Sequence, residues 1–189
     1  MGSEFESYIA DFNACIKNGW YKAYGNSLNS PDIGGWKARY GALLVSTRES
    51  TIYHVYYVDR YSVMYTLERY SNDGGTTWSE WEYVNPPKEP GVEYHTTERY
   101  LGKPVYCKTV NFGALPNASY KFVGIENGAS IIRASGLASN GKTLPGSIGA
   151  SQREQVLCMG SGNSVEIIAY ADASSLTATV TAWYTKTAD

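Results

Sequence analysis

Short runs rich in Val, Ile, Tyr and Thr, each closed by Gly, Asn, Ser, Asp or Pro, follow one another along most of this chain, and that punctuation points to β-sheet. The runs cover 41–46, 51–58, 63–70 and 81–84, then 104–112, 121–124, 130–134, 155–159, 165–170 and 176–187. Strands recurring every 8–12 residues or so suggest a sandwich or meander rather than alternating β and α units. Only Ile9, Phe12 and Ile16 recur at i, i+3 and i+7, which predicts one short amphipathic helix over residues 7–17, stopped near Asn18-Gly19. The expected fold class is mainly β: a small domain with one short N-terminal helix, followed by an antiparallel β-sandwich.

Two strands say more. Residues 51–58 alternate Thr51, Tyr53, Val55 and Tyr57 with Ile52, His54, Tyr56 and Val58. A strand apolar on both faces is expected to be covered on both. In the last strand, Leu176, Ala178, Val180, Ala182 and Tyr184 share one face, and Thr177, Thr179, Thr181, Trp183 and Thr185 the other. A tryptophan among threonines marks a face that a partner, another subunit or a ligand covers, because large exposed aromatics are few.

Asn85-Pro86-Pro87-Lys88-Glu89-Pro90-Gly91 divides the chain, since proline cannot donate to a sheet ladder and favours an extended or turning backbone. The expected organisation is a domain over 6–85, a Pro-rich linker over 86–92 and a second domain over 93–189. Met1-Gly2-Ser3-Glu4-Phe5 reads as cloning sites in frame and is set aside. Eleven of 17 tyrosines and four of five tryptophans precede Pro86, whereas the second part holds twelve alanines. Basic and acidic residues number seven and ten over 1–87, nine and eight over 88–189. With a net charge of −2, a pI near 5.7 and no Lys/Arg cluster, nucleic acid is a poor partner. No apolar run approaches the roughly 20 residues that span a bilayer, so membrane insertion is not expected.

The usual catalytic signatures are missing. Cys15, Cys107 and Cys158 are widely spaced and read as buried thiols; two histidines make no metal set. His54 reads as a satisfied core histidine and His95 as a loop or strand-edge residue. Gly160-Ser161-Gly162 lacks the G-x-S-x-G pattern, and Glu80 with Glu82, or Glu93 with Glu98, read as solvated carboxylates. Asn117-Ala118-Ser119 fits a glycosylation sequon but reads as a turn. No catalytic residue, metal or cofactor is expected. Seventeen Tyr against four Phe instead give an aromatic surface with polar handles, a bias toward binding wet partners.

Several stretches carry a family likeness. Asn18-Gly19-Trp20-Tyr21, Asn26-Ser27-Leu28-Asn29-Ser30-Pro31, Tyr40 to Val45, and Asp73-Gly74-Gly75-Thr76-Thr77-Trp78-Ser79-Glu80-Trp81 come in that order. Together they resemble the pyocin-knob module of phage and R-pyocin tail fibres: a Gly-aromatic-Tyr start, an Asn-x-Pro turn, a Gly-x-Leu-x-Val strand and a closing Trp-x-x-Trp. That family often has glutamine where this chain has His54. The second half, with Gly102-Lys103-Pro104-Val105-Tyr106-Cys107-Lys108-Thr109 and the ending Tyr184-Thr185-Lys186-Thr187, resembles the C-terminal head of tail-fibre and baseplate proteins from phages of Gram-positive gut bacteria. An ordinary strand residue usually stands there in place of Trp183.

The resemblance implies a knob followed by a receptor-binding head: a tail-fibre tip in the virion tail, assembled in the bacterial cytoplasm. It implies a homotrimer joined to other tail or baseplate proteins and holding a bacterial cell-surface polysaccharide. Trp20, Trp78 and Trp81 are expected to close the knob's small core. In the head, the loop residues Asn140, Lys142, Asn163 and Asp172, with Tyr120 and Trp183 as aromatic platforms, are the expected ligand-binding set. The alternatives are a structural baseplate or fibre spacer that binds nothing, and a fibre-borne polysaccharide depolymerase.

Overall fold

The computed structural model describes residues 6–33, 36–37, 40–60, 63–125, 128–149 and 154–187. Among these the chain is mainly β, with no α-helix and no helix long and apolar enough to cross a membrane. It divides into two compact units, Met1–Pro87 and Lys88–Asp189.

In the first unit, β1 (Glu6–Asp11), β2 (Gly19–Leu28), β5 (Tyr40–Arg48), β6 (Thr51–Arg60), β7 (Val63–Ser71) and β8 (Glu82–Tyr83) lie side by side in that order. All neighbours are antiparallel except β1 with β2. The short pair β3 (Asp32–Ile33) and β4 (Trp36–Lys37) forms a ribbon of its own. One face of the sheet buries Leu43, Val45, Ile52, His54, Tyr56, Val58, Leu67 and Arg69, together with Ile9, Phe12 and Ile33. Each apolar side chain so buried contributes on the order of 1.5–3 kcal/mol.

Two expectations are corrected here. The helix over 7–17 does not form: residues 6–11 are β1, and only Phe12–Ala14 make a 3-10 turn. Ile9 is an inward strand position between exposed Tyr8 and Ala10, Phe12 enters the core after a turn that the Asp11 side chain sets by accepting the Asn13 amide, and Ile16 stays exposed. A lone helix of three turns is marginal in water, whereas β1 gains a partner strand. Nor is 51–58 covered on both faces by its own unit. Ile52, His54, Tyr56 and Val58 are buried, but Tyr53 is exposed, and Val55 and Tyr57 are only half-buried.

Gly41 lies where β5 and β6 come too close for a side chain: a Cβ there would stand 2.2 Å from the Tyr57 carbonyl oxygen and 2.8 Å from the Tyr56 hydroxyl. Gly41→Ala is therefore expected to cost about 2–3 kcal/mol, read as a lower midpoint in denaturant at unchanged slope.

The second unit holds two antiparallel sheets. One is β9 (Glu93–Tyr100), β10 (Lys103–Ala114), β17 (Thr177–Lys186), β12 (Gly128–Ala138) and β13 (Thr143–Leu144), in that spatial order. The other is β11 (Tyr120–Gly124), β16 (Ser164–Ala169), β15 (Gln155–Ser161) and β14 (Gly146–Ser147). Tyr106, Phe112, Val180, Ala182 and Tyr184 of the first sheet and Val156, Cys158, Val165, Ile167 and Ala169 of the second form one core. The alternation read along 176–187 is the alternation observed, with Ala178 to Tyr184 inward. All three cysteines are buried and outside any disulfide, and burial raises Cys107 and Cys158 to about 11.

Candidate functional site

His54 and Arg69 are cross-strand neighbours on the inner faces of β6 and β7. The His54 Nε2 lies 2.7 Å from the Cys15 carbonyl oxygen, which only a protonated Nε2 can satisfy, leaving Nδ1 to accept the Arg69 Nε–H at 3.2 Å. The guanidinium sits between two indoles, 4.3 Å from Trp78 and 4.4 Å from Trp81, and the His54 ring lies 4.2 Å from Trp78. Burial lowers His54 to about 4 and Arg69 to about 10, so at neutral pH the first is uncharged and the second a cation.

The turn after β7 is built to deliver those indoles. The Asp73 carboxylate accepts the Ser71 hydroxyl at 2.8 Å, the Thr77 amide at 2.9 Å and the Thr77 hydroxyl at 2.6 Å, which holds its pKa down at about 2. Gly74 and Gly75 supply left-handed backbone at φ 72° and 93°. Trp78 Nε1 then donates to the Gly75 carbonyl at 3.1 Å, and Trp81 Nε1 to that of Asn29 at 3.2 Å. Of the three tryptophans expected to close the knob core, Trp78 and Trp81 form this stack; Trp20 instead stacks on Tyr57 across the opposite face, centroids 6.0 Å apart.

That opposite face carries the candidate site. With the inner residues pinned, alternation turns Tyr53, Val55, Glu68 and Tyr70 outward. Tyr53 and Tyr70 are direct cross-strand partners, 49 % and 44 % exposed, and Val55 pairs with Glu68, which pairs in turn with Glu82 of β8. Ser79 closes one side, its hydroxyl accepting the Tyr70 amide at 3.0 Å. Together with His54 and Arg69 these residues line a groove of about 370 Å³. Its chemistry is two aromatic rings, an aliphatic floor, carboxylates and a hydroxyl, which suits a ligand with flat C–H faces and many O–H donors. Both nitrogens of His54 are engaged on the inner side, by the Cys15 carbonyl and the Arg69 guanidinium. Among the described residues no group of three His, Cys, Asp or Glu could hold a metal ion.

The residues expected from sequence lie in the second unit and are spread over it. Asn140 and Lys142 share the turn after β12, where the Asn140 amide donates to the Ile148 carbonyl at 2.9 Å and its oxygen accepts the Lys142 N–H at 3.2 Å. Asp172 is at the same end, capping Ser174 through both its N–H and its hydroxyl, bonds that lower its pKa. Asn163 lies at the other end, in the turn between β15 and β16, its carbonyl accepting the Ile125 amide at 2.8 Å. Tyr120 opens β11, exposed. Trp183, half-buried, has the Arg133 guanidinium 4.3 Å and the Lys88 amine 5.2 Å from its ring, and Arg133 is paired with Glu98 at 2.7 Å. Asn140, Lys142 and Asp172 thus share one end of the unit, and Trp183 stands six strand positions from Thr177, about 20 Å away. Sequence reasoning passed over Tyr53, Glu68 and Tyr70. The signal was there: strand alternation sets Tyr53 on the face opposite His54, and Tyr70 on the face opposite Arg69, and the two tyrosines are cross-strand partners.

No family model and no curated protein matches this chain. Two solved structures are similar to it. One is an N-truncated R2-type pyocin tail fibre, with TM-score 0.33 and 11 % identity over 97 % of this chain and 98 % of that one. The other is the C-terminal part of the Pseudomonas aeruginosa R2 pyocin fibre, with the same score and identity over 97 % of this chain and 67 % of that one.

Proposed function

We propose that the chain is a saccharide-binding tip of a phage or tailocin tail fibre, which attaches the particle to a bacterial cell-surface glycan. The observation that carries the binding half of this reading is the Tyr53–Tyr70 groove with its flanking Glu68 and Ser79. Paired rings offer C–H contacts and the carboxylate and hydroxyl offer directional hydrogen bonds, and a sugar uses both kinds at once. The tail-fibre half is supported by the ordered sequence elements that resemble the pyocin knob, ending in the Trp78-x-x-Trp81 pair that stacks on Arg69. In this reading the chain works as a homotrimer in the virion tail, beside other tail or baseplate proteins. Threefold copy raises the effective concentration of individually weak sites.

The experiment is a pull-down of labelled protein on whole cells of candidate hosts, before and after chemical stripping of surface polysaccharide. Binding is expected to vanish on stripping. The double variant Tyr53→Ala/Tyr70→Ala is expected to lose at least about tenfold in affinity, since buried aromatic anchors are worth roughly 1.4 kcal/mol or more. Its melting temperature should be nearly unchanged, because both rings are exposed. Equal binding to stripped cells, or wild-type affinity in the double variant, sinks the proposal.

A further inference from the structure

The sheet β11–β16–β15–β14 turns only one face to the core of its unit. On the other, register sets three rows across β11, β16 and β15: Tyr120–Ile168–Leu157, then Phe122–Glu166–Met159, then Gly124–Ser164–Ser161. Tyr120 is 64 % and Phe122 47 % exposed, with ring centroids 5.5 Å apart in an edge-to-face arrangement. Ile168 and Leu157 are half-buried and Met159 is exposed. Glu166, at the centre, makes no hydrogen bond or ion pair with any described residue. Lys121, next in sequence to both rings, is turned away and donates to the Phe112 and Ala114 carbonyls at 2.9 Å and 3.3 Å. The third row is small, so the two bulky rows end in a ledge beside the Ser161 and Ser164 hydroxyls.

We infer that this face is a second saccharide site, distinct from the Tyr53–Tyr70 groove, and that it takes a neutral sugar of about two pyranose rings. Three strands at about 4.8 Å spacing and two rows about 7 Å apart make a platform of roughly 10 by 7 Å. The central carboxylate selects among occupants. A lipid surface or an apolar protein face pressed on it would bury Glu166 unpaired, at a cost of several kcal/mol, so a protein partner would have to supply a cation at that one point. A second copy related by a twofold axis would bring Glu166 toward Glu166. A sugar meets the rings with its C–H face and donates two hydroxyls to the carboxylate, while an anionic polymer is repelled by it. Tyr120 and Asn163, two of the residues expected from sequence, stand at opposite ends of this face.

The test is saturation-transfer NMR on the full chain with lactose, cellobiose, N,N′-diacetylchitobiose and digalacturonate at millimolar concentration. At least one neutral disaccharide is expected to receive saturation from the aromatic protons, and digalacturonate to receive it only in Glu166→Gln. Phe122→Ala is expected to weaken the neutral sugar roughly tenfold or more. Tyr53→Ala/Tyr70→Ala should leave that binding intact, so loss of the groove's function and loss of this one are told apart. No transfer to any neutral disaccharide overturns the inference, as does Phe122→Ala binding like wild type. Self-association that Phe122→Ala dissolves, seen by sedimentation velocity, would make the face an interface between copies instead.

Discussion

Trp78→Ala is expected to lower the stability of the first unit by about 3 kcal/mol, the low end for removing a large aromatic, because the indole is only partly buried. The loss has three sources. The ring that lies 4.2 Å from His54 is gone; the Arg69 guanidinium keeps one indole of two; and the Trp78 Nε1–H bond that ties the turn at Gly75 disappears. A desolvated cation–π contact alone is worth up to about 2 kcal/mol. For a domain of this size the shift in melting temperature is about 15 °C. Near-UV circular dichroism follows it directly, since four of the five tryptophans are in this unit. Trp78→Phe keeps a ring against Arg69 and should lose less than half as much. Trp20→Ala, on the outer face, should lose about 1 kcal/mol or less. Equal losses at Trp20 and Trp78 would show that the stack does not hold the unit together.

The second large effect is acid sensitivity. The imidazole of His54 is fully buried and its pKa falls from 6.5 to about 4, chiefly by desolvation, with the Arg69 cation beside it acting in the same direction against the Cys15 carbonyl. Between those two values the unfolded chain binds a proton that the folded chain refuses, so stability decreases as pH falls from about 6.5 to about 4. The integrated loss is about 3 kcal/mol. Asp73 acts in a separate window. Its lowered pKa, set by Thr77 and Ser71, favours the folded state above about pH 4, and that contribution is lost only as pH falls toward 2. His54→Gln, whose amide can still donate to Cys15 and accept from Arg69, should flatten the slope between pH 6.5 and 4 while leaving the steeper loss below it. Denaturant midpoints measured across pH 3–7 for both proteins decide this; parallel curves would rule it out.

Much of the architecture is legible in the residues, and the misses share a cause. The strands 51–58 and 63–70 and the alternation of 176–187 follow from side-chain period and turn residues, and both are observed. The helix expected over 7–17 does not form because Ile9 reaches the core from strand β1 and Phe12 from the 3-10 turn after it, a tertiary fact that spacing does not encode. β2 and β9 escaped notice since Gly19–Leu28 and Glu93–Tyr100 are mixed polar runs whose strand character comes from their neighbours β5 and β10. A strand apolar on both sides predicts a covered Tyr53, yet the residue is exposed, because tyrosine tolerates a half-wet face as readily as a buried one. Tyr120 was named as an aromatic platform from its type alone; its neighbours Phe122, Glu166 and Met159 come from three strands whose register no local pattern predicts.

β17 lies between β10 and β12, pairing with both along most of its length. The centre of that sheet is therefore the last of the second unit's strands to leave the ribosome. Until Thr177–Lys186 emerges, β10 and β12 each present an unfilled edge and the inward row from Ala178 to Tyr184 is missing from the core. Vectorial synthesis cannot build this unit strand by strand. Its assembly waits for one late insertion, and the nascent edges in the interval are open to neighbouring copies made on the same message.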